Sequence, residues 1–399
     1  MCASPVYPYR LFIVCFLSVA FGAMDSVLSS AYLPDILRSL APVAGEAAKG
    51  TAGAWINFAF LAGATLGGIA LGFLSDRIGR WAVLMLALAA YGAGSAAGAL
   101  AVHWEMLAFT RLLVGAGVGA VLVVSAVLVS EAWEPRTRAV ALGVLSVAYP
   151  VGIIASGLVT SSVRDWRMAF LLGASAVVLL VPARRMMLDS PRWSASPNLS
   201  REASLNNHTT ALFSGILVYG TMLLGLWAAF CWLPTWVQSL VGSDMQQGQS
   251  QRGLSMTLLG MGGLAGGLAS GFLANRFGAR QVQAACFILC LLLSYGLFQA
   301  HSTYTATILP GIALLGICFG VSQGVLNDYI PALFPVAVRS AATGLCFHTG
   351  RAFTAAAVFF VGALVVWFGG YGNAIFAFSI VYLAGLAALY FTKISRSTD

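Results

Sequence analysis

Four ionisable side chains stand inside long apolar runs of this 399-residue chain: Asp25, Arg111, His348 and Arg351. An acid or an arginine at the centre of a membrane helix costs about 2.5 to 3.5 kcal/mol, so each needs a reason to be there. Asp25 lies past the middle of the first apolar run and Arg111 in the outer part of the fourth. Runs one and four would cross in opposite directions, so these positions meet at similar depth and can pair. A carboxylate so placed can take and release a proton, burial favouring the neutral acid and the arginine the charged one. A static pair that fixes helix packing is the alternative. If the two neutralise each other, Arg351 remains as an unpaired buried cation, with His348 three residues earlier on the same helix face. Its planar fork suits a carboxylate or phosphate bidentately, which favours a small organic anion as ligand. The bland alternative has Arg351 bonding backbone carbonyls or facing the cytoplasmic end.

Less specific candidates surround these. Tyr149 and Trp227 are placed to wall a ligand, whereas Trp232 and Trp236 read as interfacial belt residues. Gln323 and Asn327, one helical turn apart, supply neutral hydrogen bonds, and Trp55 and Asn57 are weaker candidates of the same kind.

The elements that carry these residues follow from composition. The chain is 59% hydrophobic and 9% charged with 44 glycines, values that would leave a soluble domain exposing apolar surface almost everywhere. Its apolar runs are about 20 residues or longer, the length of membrane-crossing helices rather than barrel strands. Twelve are expected, near 10–34, 52–74, 81–102, 106–130, 140–162, 167–187, 210–237, 253–274, 281–300, 305–329, 341–367 and 372–392. The fold class is therefore an all-α membrane protein. The octapeptide Gly72-Phe73-Leu74-Ser75-Asp76-Arg77-Ile78-Gly79 returns 199 residues later as Gly271-Phe272-Leu273-Ala274-Asn275-Arg276-Phe277-Gly278. The chain reads as two copies of one unit: six-helix bundles over 1–188 and 210–399, pseudo-symmetric around a central cavity, joined by a polar linker over 189–209. Duplicated helical halves are the design of a carrier whose central site opens alternately to either side.

Of the 21 basic residues, fourteen fall on one side of the membrane and five, among them Arg252, on the other. The richer side is cytoplasmic and holds both termini. The net charge of +8 borders the spans and forms no single basic face, so no nucleic-acid partner is implied. The start faintly resembles a cleavable signal peptide, but the apolar run continues to Leu33 and its loss would leave an odd number of helices. Cys286 and Cys290, four residues apart, have the spacing of a metal pair, yet small packing residues are the simpler reading, and no metal or cofactor is expected. The glycosylation patterns at Asn198 and Asn207 fall on the cytoplasmic linker and read as chance.

Several motifs carry a family resemblance. Gly72 to Arg80 is similar to the loop between helices 2 and 3 of the major facilitator superfamily, and Arg111-Leu112-Leu113-Val114-Gly115-Ala116-Gly117-Val118-Gly119 to its helix 4 pattern. Asp189-Ser190-Pro191-Arg192-Trp193, and Glu131 to Arg138, resemble the sugar-porter and organic-ion branches. Ala332 to Arg339, followed by Gly344 and Gly350-Arg351, looks most like bacterial metabolite:proton symporters of carboxylates. Those relatives carry acids where Asn275 and Ala332 stand, so the second half lacks charges that the first keeps in Asp76 and Glu131. Tyr149-Pro150-Val151-Gly152 departs from the fuller glycine-proline pattern of the proton antiporters.

The resemblance implies a secondary transporter working by alternating access, with Asp25 and Arg111 in proton coupling. Asp76, Arg77, Arg80, Glu131, Arg138, Arg276, Asp328 and Arg339 then form a cytoplasmic gating network; the simpler alternative is charges that anchor helix ends at the headgroups. Proton-coupled symport of a small organic anion fits best, with a drug:proton antiporter, a sugar carrier or a nontransporting sensor as alternatives. No phosphate loop, metal cluster or nucleophile with histidine and acid is present, so no enzyme is expected. The expected setting is a monomer, multi-pass in a bacterial inner membrane, with a small-molecule substrate, protons and lipid as partners.

Overall fold

In a computed structural model the chain is described for residues 7–42, 45–134, 137–185, 208–335 and 338–391, and every regular element among them is helical. Twelve helices are long and apolar enough to cross a membrane: α1 (Pro8–Ala31), α2 (Glu46–Ser75), α3 (Arg80–Ala99), α4 (Trp104–Ala132), α5 (Val140–Ser162), α6 (Trp166–Arg185), α7 (Thr209–Val241), α8 (Met245–Phe277), α9 (Ala279–Ala300), α10 (Ile308–Ala332), α11 (Ala342–Ala363) and α12 (Tyr371–Tyr390). Large apolar side chains such as Phe73, Phe109 and Leu268 stand well exposed on them, as lipid-facing helices require. The twelve expected spans are present.

Several boundaries shift by a few residues from the expected ones, and three departures have a clear local reason. The first span ends at Ala31 rather than residue 34, because Pro34 has no N–H to continue the ladder. Pro34 instead enters the first turn of a separate short helix, Leu33–Leu40. The eighth starts at Met245 rather than residue 253, where the Asp244 side chain accepts from the Gln247 amide at 2.9 Å and caps it. That extension corrects the placing of Arg252, which lies within the helix, fully buried, and not in an outer loop. The fifth span breaks at Val147, between Arg138–Ser146 and Ala148–Ser162. Pro150 leaves the carbonyl of Ser146 without its helical donor.

By contacts the chain divides into two compact units, 1–43 with 55–197, and 44–54 with 198–399. Within the first, α1 packs along α4 and α5, and α3 along α4 and α6. The backbones of α2 and α4 touch: a β-carbon on Gly115 would overlap the carbonyl oxygen of Phe60, and one on Gly119 that of Ala64. Within the second unit α8 and α10 repeat the arrangement, with Gly316 against Leu259 and Gly320 against Gly263. Small residues that let helix backbones meet are how helices associate where water supplies no hydrophobic drive.

A buried ion pair as the candidate functional site

Asp25 and Arg111 meet. Arg111 Nη1 lies 3.2 Å from Asp25 Oδ1, and both side chains are fully buried in the first unit. The same nitrogen approaches the Asp25 carbonyl oxygen at 3.4 Å. A second donor, Ser95 Oγ on α3, reaches Oδ1 at 3.0 Å and the Phe170 carbonyl of α6 at 2.9 Å. The guanidinium sits over the Phe170 ring, 4.4 Å from its centroid. Four helices therefore converge on one carboxylate, α1 with the acid, α4 with the arginine, α3 with the serine and α6 with the ring.

Glycine makes the room. A β-carbon on Gly173 of α6 would come 2.9 Å from Asp25 Oδ1, and one on Gly98 of α3 would come 3.4 Å from Arg111 Nη2. The pair is single-pronged: Asp25 Oδ2 and the Nε and Nη2 of Arg111 have no hydrogen-bond partner among the described residues. One carboxylate oxygen thus carries both hydrogen bonds while the other is left to bind a proton, chemistry that a bidentate fork would block.

Where the start of α3 meets the end of α4, Arg80 Nη2 lies 3.4 Å from Glu131 Oε1, both largely buried. These two predicted gating residues are brought together inside the first unit. Of the rest, Arg77, Arg276 and Asp328 are exposed and Arg138 is half-buried. The side chains of Asp76 and Arg339 lie outside the described residues, as do Arg136 and the Asp189 to Trp193 motif.

In the second unit Arg351 is half-buried beside His348 on α11 and has no hydrogen-bond or ion-pair partner among the described residues. Among the described residues of that unit the fully enclosed arginine is Arg252, whose Nε donates to the Gly248 carbonyl at 3.3 Å. Trp227 is half-buried and meets Phe230 edge-on, the ring centroids 5.8 Å apart. Gln323 is half-buried and Asn327 exposed. Trp232 and Trp236 are corrected: they are core residues, not a belt. Trp232 donates to the Val358 carbonyl at 3.2 Å and Trp236 packs edge-on against Phe298, 4.9 Å between centroids. Among the described residues no group of three or more His, Cys, Asp or Glu could hold a metal ion.

Sequence reasoning missed Ser95, Ser26 and Ser30. Tyr149 Oη lies 3.1 Å from Ser26 Oγ, and Ser30 Oγ donates to Asn57 Oδ1 at 3.1 Å. Serine is ordinary in membrane helices, so its type alone raises no flag. The available signal was the recurrence of Asp25, Ser26, Ser29 and Ser30 within two turns of one span.

Twelve membrane-crossing helices in two helical units define a multi-pass membrane protein. The chain belongs to the Major Facilitator Superfamily, whose family profile matches residues 14–358. It is similar to the probable 4-methylmuconolactone transporter of Cupriavidus pinatubonensis, 26% identical over 80% of this chain and 76% of that one. It is also similar to the 3-(3-hydroxy-phenyl)propionate transporter of Escherichia coli, 29% identical over 74% and 73%, and to the 4-hydroxybenzoate transporter of Pseudomonas aeruginosa, 25% identical over 87% and 84%. Among solved structures, a D-xylose-proton symporter superposes with a TM-score of 0.80 over 98% of this chain and 99% of that one at 16% identity, a likeness of fold.

Proposed function

We propose that this transporter is a proton-coupled symporter of a small organic anion, with Asp25 as the proton carrier and Arg111 as the cation that sets its affinity for the proton. The observation that carries the reading is the buried single-pronged pair, with one carboxylate oxygen engaged and the other open. A proton bound at Oδ2 would cancel the acid's charge and weaken its hold on Arg111. Binding and release of that proton thereby biases the packing of α1 against α4, which is how a local charge change drives a conformational equilibrium. Arg351 supplies the positive charge for the carboxylate, with His348, Tyr149, Trp227, Gln323 and Asn327 as further contacts. The names of the three relatives, two of them transporters of hydroxylated aromatic acids, support an organic-acid substrate. Arg80 with Glu131, and with them Asp76, Arg77, Arg138, Arg276, Asp328 and Arg339, form the cytoplasmic gate, in an inner membrane with both termini cytoplasmic.

Uptake into proteoliposomes tests the coupling. Asp25→Asn should abolish accumulation driven by an imposed proton gradient while leaving substrate exchange intact. Undiminished uphill uptake by that variant removes Asp25 from the coupling role. For Arg351, Arg351→Lys should weaken carboxylate binding and Arg351→Gln should nearly eliminate it; a glutamine variant that transports like the parent sinks the anion site.

A further inference from the structure

We infer that Asn57, held by Ser30, forms with Ser26 and Tyr149 a neutral hydrogen-bonding patch in the first unit that reads a hydroxyl or carbonyl oxygen of the substrate, remote from its carboxylate. The inference rests on the organic-anion reading and adds a second recognition point to it.

The patch is built from α1, α2 and α5. Ser26 and Ser30 are four residues apart on α1 and so share a helix face, turned away from the one that presents Asp25. Ser26 Oγ donates to the Ala23 carbonyl of its own helix at 2.7 Å, which leaves Tyr149 as the donor in their 3.1 Å contact. Ser30 donates to Asn57 Oδ1, so it fixes the rotation of that amide and turns its NH2 group away from Ser30. The Asn57 Nδ2 has no partner among the described residues, nor has Ser29 Oγ, although Asn57 and Ser29 are 2% and 1% exposed.

Compare Gln283, a fully buried amide of the other unit. Gln283 donates through Nε2 to Ser322 Oγ at 2.9 Å and accepts through Oε1 from the same hydroxyl at 3.0 Å, so both ends of that amide are engaged. That is what a packing amide looks like, since buried polar groups are normally satisfied. Asn57 is engaged at its acceptor end and open at its donor end. An oriented amide donor in a buried setting selects an oxygen acceptor, and a ligand lacking that oxygen leaves the donor unmatched. The carboxylate is provided for by charge; this patch carries none, so the group it takes is neutral.

Matched acids with and without a second oxygen test this: 4-hydroxybenzoate against benzoate, and 3-(3-hydroxyphenyl)propionate against 3-phenylpropionate, each titrated onto the purified full chain by thermal shift. The parent should prefer the hydroxylated member by about fivefold, the size of one net hydrogen bond. Asn57→Leu should bring the ratio close to one. Ser30→Ala, a smaller change that frees the amide to rotate, should lower the ratio part of the way and covers the case in which the leucine variant does not fold. An undiminished preference in both variants, or an equal loss of both members of a pair, overturns the patch and leaves the anion reading standing. If none of the four acids stabilises the parent, the anion reading falls and the patch with it.

Discussion

Asp25 and Arg111 are not equivalent when one of them is removed. An aspartate left alone in a buried site can take up a proton and become neutral, whereas an arginine cannot lose its charge. Asp25→Asn therefore strands a buried cation and should lower stability by about 3 kcal/mol, in the range measured for broken buried pairs. Arg111→Gln should cost clearly less, and the double variant should recover most of the loss. Melting temperatures in detergent measure this, and equal falls for the two single variants would refute it. The pair was legible in the sequence because charges inside apolar runs stand out against their cost. Ser95, which shares the load on Oδ1, was not, since nothing in its type separates a serine bonded to a carboxylate from one bonded to its own helix carbonyl, as Ser18 is to Val14. Arg252 was misplaced because the glutamines before it lower hydropathy without breaking a helix. Hydropathy reports solvent preference, and helix ends are set by caps such as Asp244.

At the scale of elements, the glycines divide into those that helices close upon and those that face open space. Gly119→Ala would drive a methyl into the backbone of α2 and should cost about 1 to 3 kcal/mol, as overpacking does. Gly296→Ala on α9 meets nothing within 4 Å and should be neutral or stabilising by up to about 1 kcal/mol through helix propensity. A thermal-shift comparison of the two checks the contrast; similar melting temperatures would deny the α2 and α4 contact its weight. The sequence shows the glycines on α4 plainly. It does not show which of them face α2, because helical phase relative to a neighbour depends on packing that hydropathy does not encode. The break in α5 is better marked: Pro150 announces a lost hydrogen bond four residues earlier.

For the whole molecule, the repeat identifies two related units, and the departures within it suggest that they differ in charge. Asn275 and Ala332 stand where acids would match the Asp76 and Glu131 of the first unit, and the ion pair between Arg80 and Glu131 lies wholly within that unit. Gating charge is thus expected to reside mainly in the first half. Asp76→Asn should raise the labelling of introduced cysteines from the cytoplasmic side more than Asn275→Ala does. Equal labelling in the two variants would count against an uneven gate.

The close contact of α2 with α4 also bears on how the protein is made. Gly63 on α2 meets Leu112 on α4, and Gly262 on α8 meets Ala313 on α10, each pair about fifty residues apart with a complete span between them. At the usual pace of translation the second partner emerges about 3 to 10 s after the first. During that interval the glycine face of α2, and later of α8, has no mate and is open to lipid or to the insertion machinery. Each half must therefore wait for its fourth span before its backbone seam can close, and a ribosome stalled between the second and fourth spans would leave a segment whose small-residue face invites the wrong helix.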